Sequence, residues 1–211
     1  MKKIKYTIVP DNNLRSISTR RVAYDKLHLF AKELYSYIEK KPSFYDQATY
    51  DIFIGTLHAM IRDFRNTSHD NSLFEKELFD INRNAPLAKS TEWGGITYKY
   101  VDVERNKIKK MLVVKKGGTL GFEYHDFKRE SLEVKEGVCI YLGSVHKSKG
   151  WSQGKITLNI AVPGDSTDLA PYDEHGLLAV TNCVVLESST YHLEDLKYIF
   201  TSRQMWNMQL E

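Results

Sequence analysis

Apolar residues in the first part of the chain recur every three or four positions, the pattern of amphipathic helices. One stripe ends at Lys40-Lys41-Pro42, and a second follows Ser43, a candidate N-cap with Asp46 three residues on. A third, shorter stripe follows Asn71-Ser72. The three stripes are Ala23, Leu27, Phe30, Leu34, Tyr37 and Ile38; Phe53, Ile54, Leu57, Met60, Ile61 and Phe64; and Phe74, Leu78, Phe79 and Ile81. The pattern predicts a helical N-terminal segment over residues 1–85.

From Gly94 onward the pattern changes to short runs rich in β-branched and aromatic residues, several of them alternating with period two. The runs are ITYKYVDV, KIKKMLVV, SLEVKEGVCIYL, KITLNIAV and NCVVLESS, separated by turn clusters such as KKGG and PGDSTD. Many short strands at this spacing indicate an antiparallel sandwich or barrel, here over residues 86–211. The segment from Arg83 to Glu92 is expected to be a linker. The predicted fold class is therefore α+β.

Composition narrows the classes of protein further. The net charge of only +3 on 211 residues argues against a nucleic-acid partner. No apolar run approaches the roughly 18 residues that span a bilayer, and the basic start MKKIKYTIVP contains no signal-peptide core. Cys139 and Cys183 lie inside strand-like runs, so we expect two buried free thiols rather than a disulfide. These features predict a cytoplasmic protein without a membrane partner.

The segment GFEYHDFKRE concentrates acidic and imidazole side chains. Glu123 and His125 are two residues apart, so in a strand they point to one face, and Glu130 follows after the charged pair Lys128-Arg129. Two interpretations are open at this point. The residues form either a solvated hairpin face or part of the ligand set of one metal ion.

The wider spacing resembles the two signatures of the cupin superfamily. Gly117 precedes Glu123 with five residues between, and Gly137 follows Glu130 with six between, as in the first cupin motif. Only the first His of that motif differs, being Glu123 here. The segment from Gly164 to His175 has the length of the second motif and its final His, with Ala170 and Tyr172 at the motif's Pro and Gly positions. The resemblance implies a double-stranded jelly-roll barrel.

A narrower resemblance covers about residues 92–200. The region is similar to the cupin domain of bifunctional mannose-6-phosphate isomerases, which carries a Trp-Gly pair, a lysine-rich run ending in Gly-Gly, and a Leu-x-x-Gln-x-His segment ending in Arg-x-Glu. These align with Trp93-Gly94, Lys107 to Gly118, and Leu120 to Glu130. The chain departs from the family at Glu123, Phe127, Lys128, Leu132 and Tyr198, where the family has Gln, His, Arg, Trp and often Arg. The family's closing Asp-x-Tyr-Gly-Arg segment is absent after Ile199.

The cupin resemblance implies that Glu123, His125, Glu130 and His175 converge on one divalent ion, which could be Zn, Mn, Fe or Co. The narrower resemblance implies aldose–ketose isomerisation of a sugar or sugar phosphate, with proton transfer between C1 and C2 next to the metal. Candidate proton carriers are Glu174, His146 and Tyr124, and candidate anion contacts are Lys109, Lys116, Lys128, Arg129 and Lys155. His28, His58 and His192 are expected to be structural or surface residues. A homodimer is the expected assembly.

Three functions from different classes stay open on the sequence alone. The first is the metal-dependent sugar isomerase or epimerase. The second is a non-catalytic cupin that binds a sugar or another small ligand, with the helical segment as an interaction module. It is favoured by Phe127, Leu132 and the missing closing segment. The third is an Fe(II) oxygenase that uses the same open site.

Overall fold

A computed structural model describes residues 6–10, 43–44, 71–144 and 155–200. In these ranges the chain forms one helix and thirteen strands. They are β1 (Tyr6–Pro10), β2 (Ser43–Phe44), α1 (Ser72–Asn82), β3 (Ala88–Thr91), β4 (Gly94–Asp102), β5 (Lys107–Val114), β6 (Phe122–His125), β7 (Glu130–Glu136), β8 (Cys139–Ser144), β9 (Lys155–Ala161), β10 (Ser166–Leu169), β11 (His175–Ala179), β12 (Cys183–Ser189) and β13 (Leu196–Phe200). None of the described helices is both long and apolar enough to cross a bilayer.

The strands form two sheets. The seven-stranded sheet has the order β13-β6-β11-β8-β9-β1-β2, and the six-stranded sheet has the order β10-β7-β12-β5-β4-β3. Every described pair is antiparallel except β1 with β9. The two sheets are mainly antiparallel, as the strand pattern predicts, and they agree with the jelly roll that the cupin resemblance implies.

The apolar core lies between the two sheets. Its buried residues are Trp93, Leu112, Val114, Leu132, Val134, Cys139, Ala161, Leu177, Ala179, Cys183 and Val185. They come from both sheets because alternate residues of each strand point inward. Cys139 and Cys183 are buried free thiols within this cluster, which confirms that prediction.

Helix α1 covers part of the outer face of the six-stranded sheet. Its Phe74 and Ile81 pack against Val113 and Val184 in a second buried cluster. Asn71 makes no capping hydrogen bond with its side chain. Instead, the Glu136 carboxylate accepts the backbone N–H groups of Leu73 at 2.8 Å and Phe74 at 3.2 Å. A carboxylate from the sheet therefore satisfies the free N–H groups at the start of the helix.

Helix α1 confirms the third predicted helix, whereas the first two predicted helices fall largely outside the described residues. Two local predictions are wrong. Ser43 lies in β2, paired with β1, rather than at a helix N-cap. The expected linker contains β3, which pairs with β4. Strand β1 was not predicted, because its partner β9 lies far along the chain and gives no local signal. The proposed division of the chain at residues 85/86 stays a prediction.

The glycines of the motif occupy backbone positions that favour glycine. Gly117, Gly137 and Gly164 have φ values of 79°, 82° and 93°. At Gly137 an added Cβ would lie 2.0 Å from the carbonyl oxygen of Asn182. Tyr172, which stands where the second motif has Gly, also has a positive φ, 69°. The backbone of that turn is therefore retained although the side chain is not glycine.

Candidate metal centre

The structure brings the four predicted metal ligands to one end of the space between the sheets. Glu123 and His125 lie on β6, and His175 begins β11, where it pairs with Glu123 in the ladder. Glu130 begins β7 in the opposite sheet. The two-residue spacing on β6 places both of its ligand candidates on the inner face. Their convergence therefore follows from strand parity and sheet pairing together.

Backbone carbonyls fix the orientation of both imidazoles. His125 Nδ1 lies 2.8 Å from the carbonyl oxygen of Asp195, and His175 Nδ1 lies 2.9 Å from that of Asp173. A carbonyl oxygen can only accept, so each Nδ1 carries the proton and donates it. Each Nε2 is therefore the ring atom that faces the site. Metal-binding histidines are commonly held in this way, because the outer hydrogen bond fixes the tautomer and the ring orientation.

Ligand atoms of Glu123, His125 and His175 all lie within 4.8 Å of one another. His125 Nε2 is buried and has no hydrogen-bond partner among the residues that the structure describes. A buried acceptor without a partner costs free energy, which a bound cation would recover. Two imidazole nitrogens and a carboxylate suit Zn, Mn or Fe(II). These residues therefore fit a divalent metal ion.

Glu130, the fourth predicted ligand, is engaged by other side chains. One of its oxygens lies 2.8 Å from His175 Nε2, and the other pairs with the ammonium of Lys128 and lies 3.8 Å from His125 Nε2. The Lys128 ammonium also lies 2.8 Å from Glu187.

Glu187 connects Lys128 to two further polar residues of the six-stranded sheet. Its second oxygen lies 2.9 Å from Lys110 Nζ, and Ser189 Oγ donates to its first oxygen at 3.0 Å. We call Lys110, Lys128, Glu130 and Glu187 the ionic network.

The charges of the site shift the pKa values of its members. Burial raises the pKa of Glu123 to about 7, against the opposing charge of His175. Burial disfavours a charge on His175, but its hydrogen bond to Glu130 and the charge of that carboxylate raise its pKa to about 9. Burial and the charge of Lys128 lower the pKa of His125. At neutral pH and without a metal, His125 is therefore neutral and His175 is protonated.

A cavity of about 160 Å³ contains the four ligand candidates and the ionic network. Apolar residues from the core, among them Trp93, Leu112 and Leu132, form part of its lining. Leu193 and Tyr198, which are 55% and 49% exposed, also line it. The cavity therefore combines a charged interior with partly exposed apolar side chains that a ligand can contact.

The other predicted site residues are dispersed. Tyr124 alternates with Glu123 and His125 on β6, so its side chain points to the opposite face. Glu174 is buried but does not line the cavity. Lys128, which was predicted as an anion contact, does line it. His146 lies outside the described residues, as do His28 and His58. The roles of Tyr124, Glu174 and His146 stay predictions.

Of the predicted anion contacts, Lys109 and Arg129 line a separate groove that also contains Arg105 and Asp168. Lys116 donates its backbone N–H to Asn182 and lines neither this groove nor the cavity. Lys155 is described only as part of β9, without its side chain. His192, expected to be structural or at the surface, lines the cavity.

Three residues of the site were missed from the sequence: Lys110, Glu187 and Asp195. The signal for the first two was present, because Lys110 occupies an inward position between Ile108 and Leu112, and Glu187 occupies one after Val185. Charged residues at inward positions of a strand indicate either an ion pair or a site. Asp195 gave no such signal, because its backbone carbonyl is the group that orients His125.

No protein-family model matches the chain, and no curated protein is significantly similar to it. Similar solved structures include KdgF from a Halomonas species, which is 16% identical, with 55% of this chain and 94% of that chain covered and a TM-score of 0.41. An RmlC-like cupin protein from Desulfovibrio desulfuricans is 19% identical, with 45% and 79% covered and a TM-score of 0.36. L-ribose isomerase from Cellulomonas parahominis is 15% identical, with 52% and 70% covered and a TM-score of 0.43. At such identities their activities do not transfer to this chain, and the resemblance to mannose-6-phosphate isomerases stays a prediction.

Proposed function

We propose that the protein is a metal-dependent isomerase of a sugar or sugar phosphate. The observation that supports this most directly is the pair of imidazoles whose Nε2 atoms face Glu123 in a largely buried cavity. Glu123, His125 and His175 would hold the ion, with Glu130 beside them. Three protein ligands leave coordination positions open for a substrate.

The bound cation would supply Lewis acidity, polarising a sugar carbonyl and the neighbouring hydroxyl. The chain itself must then move a proton between C1 and C2, which requires a carboxylate or another base in the cavity. We assign this role to Glu130. Its ion pair with Lys128, which does not involve His175, keeps it deprotonated at neutral pH despite its burial.

The ionic network also limits which cations can bind a substrate phosphate. Both cavity lysines are matched by a carboxylate: Lys110 contacts Glu187, and Lys128 contacts Glu130 and Glu187. The exposed cations Lys109 and Arg129 line the neighbouring groove instead. A sugar phosphate would therefore place its phosphate in that groove, whereas an unphosphorylated sugar needs only the cavity.

The first test is the metal content of the purified protein, measured by inductively coupled plasma mass spectrometry. Wild type should retain close to one divalent ion per chain, and His175→Ala should lose it, because two ligands rarely hold a dication alone. Aldoses and their phosphates in deuterated water then test the reaction, since a C1–C2 proton transfer exchanges the C2 hydrogen with solvent. A metal-loaded protein that exchanges no hydrogen with any of these sugars would contradict the isomerase.

A second candidate is a cupin that binds a sugar or other small ligand without catalysis. Three exposed side chains favour it: Leu193 and Tyr198 in the cavity lining, and Phe127, which is 68% exposed with its ring 6.2 Å from that of His192. Apolar and aromatic surfaces of this kind stack on sugar faces. Ligand binding in calorimetry without hydrogen exchange would favour this function. The homodimer stays a prediction, which light scattering during size-exclusion chromatography would test.

A further inference from the structure

Lys128 is an unusual residue to find beside a metal site. It lies in the turn between β6 and β7, yet it is only 8% exposed and its ammonium reaches into the cavity. There it contacts one oxygen of Glu130 and lies 2.8 Å from Glu187. An ammonium in this place repels a dication and competes with it for the same carboxylate.

We infer that Lys128 holds Glu130 away from the metal, so that Glu123, His125 and His175 bind the ion without it. This inference rests on the proposed metal site. It assigns different roles to the two carboxylates, with Glu123 as a ligand and Glu130 as the partner of Lys128 that does not contact the ion.

The contacts of the two carboxylates differ in the way this inference requires. Glu130 pairs with Lys128 through one oxygen, and this contact remains when His175 Nε2 leaves the other oxygen to bind the ion. Glu123 has no comparable partner among the described residues, since its closest cationic atom is His175 Nε2 at 4.0 Å. Glu123 is therefore the carboxylate that lacks a compensating cation, and Glu130 already has one.

The charges of the ionic network also balance without a metal. Lys110 and Lys128 contribute +2, and Glu130 and Glu187 contribute −2, which sums to zero. Drawing Glu130 to the metal would leave Lys128 and Lys110 to share Glu187. Buried charges are costly when they lose a partner, so the closed network opposes that change.

The experiment compares cation affinity among variants by titration calorimetry with Zn²⁺, and coordination by the visible absorption of bound Co²⁺. Glu123→Gln should weaken binding by about 100-fold, and Glu130→Gln by less than about tenfold, because only the first removes a ligand. Lys128→Met should tighten binding by about tenfold or more and change the Co²⁺ spectrum, because Glu130 becomes available to the ion. Lys110→Met is the matched control, since it contacts Glu187 and not Glu130, and it should leave the Co²⁺ spectrum unchanged.

If Glu130→Gln loses as much affinity as Glu123→Gln, Glu130 is a ligand and the inference is wrong, although the metal site stands. If wild type binds no cation, the proposed function and this inference both fail. Circular dichroism checks that each variant folds. Should Lys128→Met not fold, Lys128→Met/Glu187→Gln removes one charge of each sign and gives the same comparison. The Glu123 and Glu130 variants decide the ligand set independently of both.

Discussion

The same strands line both ends of the space between the sheets, but their inward side chains are apolar at one end and charged at the other. We call these the apolar end and the ionic end. On β5, Leu112 faces one end and Lys110 the other. On β12 the corresponding residues are Val185 and Glu187, and the ladder pairs Leu112 with Val185 and Lys110 with Glu187. On β7, Leu132 lies at the apolar end and Glu130 at the ionic end. A shift of one inward position therefore changes a packed core into a charged cavity.

The two ends contribute differently to stability. The apolar end buries side chains that gain free energy on leaving water, whereas the ionic end must offset the desolvation of several charges. A protein tolerates such an arrangement where it serves a site. The apolar end therefore holds the sheets together, and the ionic end is the part of the barrel to which we assign the proposed function.

The largest expected effect is that of pH on the ionic end. The pKa values of His175 and Glu123 are about 9 and about 7, so a metal must displace protons from both below neutral pH. Affinity should therefore rise with pH, by roughly several thousandfold between pH 6 and pH 9. The pKa of His125 is lowered, so this ring contributes little to the pH dependence of metal affinity in that range. Competition with a chelator at several pH values measures the effect, and an affinity independent of pH would contradict it.

The next effect compares two inward residues on β5. Leu112→Ala should lower the free energy of unfolding by about 3 kcal/mol, because it opens a cavity in the apolar cluster. Lys110→Met should cost less, about 2 kcal/mol, because buried Glu187 loses one cation but keeps its contacts with Lys128 and Ser189. Urea denaturation of the metal-free proteins measures both. A larger loss for Lys110→Met would mean that the ionic end is needed for stability.

A smaller effect concerns the support of the ionic end. The Asp195 carboxylate accepts the backbone N–H groups of Asp126, Phe127 and Lys128 at 3.0, 2.7 and 2.8 Å. Asp195→Asn replaces one acceptor oxygen with a donor and should cost about 1–2 kcal/mol. It should also weaken metal binding by about tenfold, because the carboxylate contacts hold in place the backbone carbonyl of Asp195, which orients His125. Denaturation and calorimetry measure the two effects. The exposed neighbour Glu194→Gln is the control, and equal effects in both variants would refute the prediction.

The smallest effect is expected at Tyr172. Replacing it with Gly removes about 1 kcal/mol of backbone strain but also removes a partly buried side chain, so stability should change by less than about 1 kcal/mol. Gly137→Ala should cost more, about 2 kcal/mol or above, because its φ is 82° and its Cβ would meet the Asn182 carbonyl. Thermal unfolding compares the two. A loss above 2 kcal/mol in Tyr172→Gly would show that the tyrosine side chain is needed for the turn.

Much of the candidate site could be predicted from the sequence because it depends on strand parity. Glu123 and His125 share a face for any strand that contains both. The glycine spacing around them also marks turns, and Gly117, Gly137 and Gly164 all have positive φ. The expected roles of Tyr124 and Glu174 found no support in the cavity, because neither residue lines it. Local pattern could not foresee β1 and β3, whose strands form by pairing with partners that the local sequence does not reveal.

Local sequence is enough to predict the alternation of inward and outward residues, the positions of the turns in the barrel, helix α1 and the two buried thiols. These properties follow from neighbours within a few residues of each other. The contact of Lys128 with Glu187 and the orientation of His125 by Asp195 arise only when the strands pair. Both contacts join residues far apart in the chain, and their formation depends on the register of the sheets. The register is a property of the whole barrel, because it is chosen by the burial of every inward side chain at once.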